Sequence, residues 1–331
     1  MDAEYDTIPK ALYIFYISVI CIRDYCIPIF LSLSLVSNSL SVYVLFCTKL
    51  RYHSSSIYLG ALAMSDIGVL TSFMMWLHFV NILYYENWLI ALFFGLRWLF
   101  CFLSVWIVVA FTVQRYIAIK WPLRCSLCTV NRAIIILIRL AGLAVLYSIP
   151  WFILSSIFFY NLLPTEINET NILGAKIVSA IEAIITFVLP AIMIAFFNVL
   201  IMYNIRKQNR IRRNMISSSS ASNKKTQSSD NEESHIQVTK MLVIISSLFI
   251  CLNIPQQVVV MYIVYDIQNK IVHELYPIGI FLNLINYGIN FVLYSATGKN
   301  FRKELICIFT KCSDSRMNEG IDMKNFAEQC D

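Results

Sequence analysis

Charge is what this sequence lacks most. Only 14% of its 331 residues are Asp, Glu, Lys or Arg, while 58% are hydrophobic. A soluble domain carries roughly 25% charged residues, so the composition excludes an ordinary water-soluble fold. A cleavable signal peptide is missing too. MDAEYDTIPK is acidic rather than basic, and the apolar run Ala11–Ile22 is too short to span a bilayer. Insertion is therefore expected to rely on the first full-length membrane helix. Enzyme signatures are equally absent. There is no G-x-S-x-G and no H-E-x-x-H, and the four histidines are scattered, so neither nucleophile–base nor zinc spacing is met. The chain reads as a non-enzyme. No internal repeat is visible, which argues against transporters built from duplicated halves.

Cysteine is not scarce, but it is in the wrong places for a disulfide framework. Of ten, only Cys21 and Cys26 fall clearly on the acidic side of the chain. A local bridge and two free thiols are both open. The net charge of +6 does not suggest nucleic acid, because the cations are distributed by membrane side.

What is present is a set of seven apolar stretches: Tyr25–Cys47, Ser56–Tyr84, Leu89–Lys120, Ala133–Phe159, Val178–Tyr203, Val238–Ile263 and Leu275–Tyr294. A spanning helix needs about 20 such residues. The short amphipathic segment Asn300–Phe309 follows, too short to cross. The spacing predicts an all-α membrane protein, a seven-helix bundle with a short eighth helix. It divides into an extracellular segment 1–24, a membrane domain 25–309 and a cytoplasmic tail 310–331. With the N-terminus outside, 4 cations lie outside and 20 inside, which fixes the expected orientation. The N-x-[ST] site at Asn168 then falls in an outer loop, where glycosylation is expected. Residues 216–237, rich in Ser, Lys and Glu, cannot bury a core and read as a disordered cytoplasmic loop, a solvated linker or a phosphorylation cluster.

The third stretch organises the rest. It carries Arg97 and Arg115, 18 positions apart. At about 3.6 residues per turn that is five whole turns, so both point the same way, about 27 Å apart. Cys101, Ser104, Val108 and Phe111 share the stripe between them. A cation in a span usually faces the protein interior or a watery cavity. The layout is that of a device with a site on each side of the membrane.

In order and spacing, several motifs resemble those of rhodopsin-like (class A) G-protein-coupled receptors. SNSLSVYVL offers Asn38 and LAMSD offers Asp66 in the first two spans. TVQRYIAIKWPL matches the Asp/Glu-Arg-Tyr motif and its following Pro-Leu at Arg115, Tyr116, Pro122 and Leu123, with Gln114 in place of the acid. FVLP supplies Pro190, FICLNIP supplies Phe249 and Pro255, and NFVLY with GKNFRKEL matches the end of the seventh span and the helix after it. The resemblance runs from about Leu31 to Cys312. The seventh-span variant, with Asn290 and Tyr294, and the fifth-span pattern P-(x)7-N are similar to invertebrate FMRFamide-type neuropeptide receptors.

The resemblance implies roles. Asp66 is a lone carboxylate deep in a span, costly at ~3 kcal/mol or more unless paired. Asn38, Ser104, Asn286 and Asn290 would be its neighbours, suiting a sodium ion or waters; a protonated, purely structural Asp66 is the alternative. Arg115 would be held when the receptor is inactive and released to a G protein when it is active. Gln114 replaces the usual acidic partner, so raised ligand-independent activity is expected. The family's outer disulfide is absent, with Ile90 at the third-span position and no cysteine in Tyr160–Lys176. The switch tryptophan of the sixth span is Asn253, the fourth-span tryptophan Ala141, the fifth-span tyrosine Asn198 and the seventh-span proline Phe291.

For the ligand, retinal is disfavoured because Leu284 replaces the lysine an opsin needs, and an amine because Arg97 replaces an aspartate. An arginine suits a carboxylate, a phosphate or an acidic peptide group. Glu182, eight residues before Pro190, could meet a basic one, or pair with Arg97. Trp76, His78, Gln256, Gln257 and Tyr276 join Asn253 as candidate ligand contacts, although aromatics near the surface also serve as interface anchors. His78 and His273 also read as satisfied structural residues. In the tail, Phe301, Leu305, Ile306, Ile308 and Phe309 are expected to face the bilayer, with Arg302 and Lys303 toward headgroups and Cys307 and Cys312 palmitoylated. Arg139 is expected to snorkel to the interface. The expected protein is a plasma-membrane receptor for an extracellular ligand, most simply a neuropeptide. Its partners are a heterotrimeric G protein, with arrestin and kinases behind it. A receptor that binds without signalling and a heptahelical channel or transporter are the alternatives.

Overall fold

The computed structural model describes residues 10–79, 87–121, 129–160, 169–218, 228–265 and 270–310. Helices account for nearly all of them: α1 (Lys10–Cys21), α2 (Ile27–Cys47), α3 (Ser54–Phe79), α4 (Asn87–Lys120), α5 (Val130–Tyr160), α6 (Glu169–Ala183), α7 (Leu189–Ser218), α8 (Ser228–Tyr265), α9 (Lys270–Gly288), α10 (Asn290–Thr297) and α11 (299–310). Six helices are long and apolar enough to cross a bilayer, and the bent pair α9–α10 makes a seventh. Leu123, Pro122, Asn168 and Cys312 lie outside the described residues, and so do the side chains of His78 and Ile90.

The helices outrun the apolar stretches that predict them. A hydropathy window stops where the bilayer stops, but a helix already satisfies its own backbone and continues into water. The first helix therefore begins at Lys10 and its apolar candidate span at Tyr13, both ahead of Tyr25, and α1 joins α2 through a π-turn at Ile22–Cys26. Pro28 explains that turn, since its ring nitrogen cannot bond the carbonyl of residue 24, four positions back. The same device recurs at Ile184–Val188, just before Pro190, and joins α6 to α7. The loop expected at 216–237 is helical up to Ser218 and again from Ser228.

The bundle is inverted relative to a soluble protein. Leu33, Val36, Leu146 and Val199 are each more than 60% exposed, whereas Asn38, Ser41, Asp66 and Thr112 are fully buried. In water such an apolar surface would drive aggregation; in a bilayer it is the solvated face. Arg139 is exposed on the fourth span. The third span, α4, lies at the centre and packs against α3, α5 and α7. One buried apolar cluster surrounds its Arg115 half, with Tyr58, Phe111, Ile194 and Phe249. A second, with Leu31, Leu70, Phe73 and Leu284, fills the space between α2, α3 and α9.

Between α9 and α10 the seventh span bends by 43° at Ile289, although Phe291 stands where a proline would explain it. Helix ends leave carbonyls unpaired, and here a side chain fills the gap. Asn38 donates its amide to the carbonyl of Tyr287 at 2.9 Å and to that of Ser34 at 3.0 Å. Gly288 permits the approach, since a Cβ there would collide with Ser34 and Phe30 of α2.

The tail helix differs from expectation most at Phe301 and Arg302, and Leu305 and Ile308 also pack partly against the core instead of facing lipid. Phe301 is 5% exposed and packs edge-on against Tyr294 and Phe291, at centroid distances of 5.8 and 5.9 Å, so it closes the core instead of facing lipid. Arg302 donates to the carbonyls of Ser295 and Ala296, at 2.9 and 2.6 Å, and caps α10 rather than reaching headgroups. Ile306 and Phe309 do face outward. Cys307 is exposed, as acylation would require.

Candidate functional site

At the Arg97 end the helices part around a cavity of about 240 Å³. Arg97, Glu182, Asn253, Gln256, Gln257 and Tyr276 all reach it, contributed by α4, α6, α8 and α9. Both arginines of α4 turn inward, as their shared stripe requires. Arg97 lines this cavity, and Arg115 is 3% exposed at the opposite end.

The two charged walls are held separately. The Arg97 guanidinium lies 5.8 Å from the rings of both Phe73 and Trp98, a cation–π cradle that orients it without using up its donors. Glu182 accepts a 2.9 Å hydrogen bond from Thr186, whose hydroxyl also reaches the Glu182 carbonyl at 3.0 Å. Thr186 sits inside the π-turn forced by Pro190, so the turn sets the carboxylate's direction. Among the described residues no ion pair joins Arg97 to Glu182; the salt bridge they hold is Arg23–Asp24 at 2.7 Å. The alternative of simple mutual pairing is therefore not what the geometry adopts.

The floor is made of amides. Asn283 donates to Asn253 at 2.5 Å, and Asn253 donates to the carbonyl of Phe249 at 2.6 Å. The Gln257 Oε1 is buried and accepts no hydrogen bond among the described residues, although buried amides ordinarily find partners. It is an acceptor waiting for a donor.

Other candidates fall elsewhere. Trp76 stands a layer behind the wall, tilted on Phe73 at 5.5 Å and edge-on to Phe94 at 6.4 Å. It supports the cradle rather than lining the cavity. Besides Cys101 of the Arg97 stripe, lining residues that the pattern did not single out include Trp98, Trp151, Thr186, Asn283 and Tyr287. Trp98 and Trp151 stack at 4.4 Å, and Tyr287 donates to the Cys101 sulfur at 3.6 Å. Cys101 was legible on the Arg97 stripe; the rest are ordinary aromatic or polar residues of a span, with nothing in sequence to mark them.

Below the cavity lies the buried carboxylate. Ser104 donates to one oxygen of Asp66 and Asn290 to the other, both at 2.6 Å, tying the second span to the third and seventh. Asn38 and Asn286 do not bond it; Asn38 instead holds the bend of the seventh span. The Oδ1 of Asn38 remains a buried oxygen without a donor. At the far end Arg115 donates to Gln114 at 3.3 Å and lies 5.1 Å over the Phe111 ring, while Gln114 donates to Ser54 at 3.0 Å. Tyr116 packs on Phe197 at 5.4 Å and accepts from Lys120 at 2.8 Å. Tyr294 is 1% exposed beneath α11.

A bent seven-helix bundle with a polar hollow at one end, a buried carboxylate midway and a sheltered guanidinium at the other defines a heptahelical membrane receptor. Residues 37–294 match the 7 transmembrane receptor (rhodopsin family), and the chain belongs to that family. Membership places it among receptors rather than enzymes. It is similar to the FMRFamide receptor of Drosophila melanogaster, 24% identical over 224 residues, which cover 64% of this chain but 38% of that receptor's length. It is also similar to the thyrotropin-releasing hormone receptor of Gallus gallus, 27% identical over 305 residues, 82% of this chain and 74% of the relative.

Proposed function

We propose that this chain is a plasma-membrane receptor, N-terminus outside and C-terminus inside, that binds a neuropeptide at the Arg97 cavity and activates a heterotrimeric G protein at the Arg115 end. The observation that carries it is the separation of Arg97 from Glu182 across one cavity, each held by other groups. A hollow of about 240 Å³ is below the range of about 300–1,000 Å³ usual for drug-sized ligands, so it suits the last one or two residues of a longer chain. A peptide end offers the ionic groups and amides that match Arg97, Glu182 and Gln257. The names of the two relatives, both peptide receptors, support the same ligand class. The 4-to-20 partition of cations supports the orientation. The sheltered Arg115 supports coupling to a G protein, with receptor kinases and arrestin following. Glycosylation of Asn168 and acylation of Cys307 and Cys312 fit this placement.

Asp66 also suits a sodium ion. Its carboxylate and the Ser104 hydroxyl are oxygen ligands of the kind a hard cation takes, and the donorless Oδ1 of Asn38 on the neighbouring span is a further candidate.

The test is a neuropeptide library screened on cells expressing the receptor, with calcium and cyclic-nucleotide readouts. Arg97→Ala and Glu182→Ala variants run beside the wild type. An active peptide should lose at least about tenfold in potency on one variant, by loss of a charge-assisted contact. A peptide equally potent on both variants would remove this cavity as its site. A second reading, binding without signalling, draws on Asn253, Asn198 and Phe291 at the switch positions. Guanine-nucleotide exchange on purified G proteins separates the two.

A further inference from the structure

A second cavity, of about 360 Å³, opens at the Arg115 end of the bundle. It lies between the end of α2, the 3₁₀ turn Lys49–Tyr52 and α11, and it shares no lining residue with the Arg97 cavity. Three charged side chains line it: Lys49 and Arg51 from the turn, Glu304 from α11. No ion pair joins them among the described residues, so both signs stay available to an occupant.

Local geometry sets these charges in place. Thr48 leaves the helical region at φ −107° and ψ −174°, ending α2. Its hydroxyl donates to the Val44 carbonyl at 2.7 Å and accepts from the Leu50 amide at 3.2 Å, which closes one helix and opens the turn. The turn carries Lys49 and Arg51 sideways toward α11. Arg51 then donates to the Tyr52 hydroxyl at 2.7 Å and lies 4.9 Å over its ring. Most of its guanidinium donors remain, and so does the Tyr52 proton. Above the cavity, Tyr43 on its rim continues into Val36, Leu33 and Ile29, an exposed apolar stripe along one face of α2.

We propose that this cavity is a headgroup site for an anionic aminophospholipid, with the acyl chains lying along the α2 stripe. The leaflet is the one at the Arg115 end, cytoplasmic in the orientation proposed above, on which that detail rests. A headgroup bearing a phosphate, a carboxylate and an ammonium presents two anions and one cation. The walls present two cations and one anion. Lys49 and Arg51 take the phosphate and carboxylate, and Glu304 takes the ammonium. A basic pocket at a membrane surface recognises lipid headgroups as a class; Glu304 is what would discriminate an amino headgroup from a plain anionic one.

Native mass spectrometry of the purified full-length chain in detergent, titrated with phosphatidylserine, phosphatidylglycerol or phosphatidylethanolamine, tests this. Phosphatidylserine should bind at least about fivefold more tightly than either of the others, the worth of one matched charge. Lys49→Ala with Arg51→Ala should weaken it by at least that factor. Glu304→Gln should bring it down to the level of phosphatidylglycerol while leaving phosphatidylglycerol no weaker, and this isosteric change at a half-buried position decides the matter if the double variant fails to fold. Equal binding of the first two lipids to wild type, or a preference that survives Glu304→Gln, overturns the proposal. Competition by glycerophosphoserine as strong as by the intact lipid would make a free headgroup the ligand and overturn it as well. The readout uses neither agonist nor G protein, so its failure leaves the receptor reading standing, and a silent receptor leaves this site standing.

Discussion

Asn283 of the seventh span donates to Asn253 of the sixth at 2.5 Å, and this pair forms the floor of the Arg97 cavity. An amide pair occupies the place where the family resemblance puts a tryptophan. A tryptophan would fill this place by bulk; two amides fill it by a bond that can be made or broken. Removing one partner leaves the other buried and unsatisfied, at about 1–3 kcal/mol. Asn253→Ala should therefore lower the melting temperature of the purified receptor, and Asn253→Ala with Asn283→Ala should recover part of the loss. A thermal-shift series over the two singles and the double measures the coupling, and strictly additive losses would deny it.

Gln114 shares a weak 3.3 Å contact with Arg115. Replacing it with glutamate converts a neutral acceptor into a charged one, roughly doubling the strength of the bond. Gln114→Glu should lower ligand-independent nucleotide exchange severalfold without weakening ligand binding. An unchanged basal rate would mean that other partners already hold the guanidinium.

Asp66 accepts from Ser104 and Asn290 at 2.6 Å each, so Asp66→Asn should cost stability and abolish any effect of sodium on agonist affinity. Agonist displacement curves in sodium and in an organic cation of equal ionic strength measure this. A sodium effect that persists in Asp66→Asn would move the ion elsewhere.

Asn198 of the fifth span donates to Ser246 of the sixth at 2.6 Å, within the Arg115 half of the bundle. These spans must part if a G protein is to enter between them, so the bond is a latch. Asn198→Ala should raise basal exchange by up to about tenfold, the equivalent of ~1.4 kcal/mol shifted between two states. A basal rate equal to that of the wild type would rule the latch out.

How far these features could be read in advance depends on what each would cost if misplaced. Arg97, Arg115 and Asp66 were legible because a charge in a bilayer is expensive anywhere but inside. The helix count and the partition of cations follow from the same expense. Neutral residues carry no such penalty, so Trp98, Trp151 and Asn283 look like any other members of a span. Their place in the cavity depends on how α4, α5 and α9 rotate against one another. Phe301 misled for a related reason. A ten-residue amphipathic pattern marks an apolar side, but bilayer and receptor core are equally apolar, and only packing under Tyr294 distinguishes them. Trp76 lies one layer behind its expected place, since a side chain over Phe73 and one lining the cavity share the same helix face.

The seventh span holds its 43° bend without an imino ring. A proline hinge is covalent and always present, whereas this one is braced by a hydrogen bond from the Asn38 amide to the Tyr287 carbonyl. Its stiffness is therefore a property of a neighbouring helix. Whatever nudges the first span, whether a lipid seated beside Lys49 or a substitution at Gly288, also changes the curvature of the segment that carries Asn290 to Asp66.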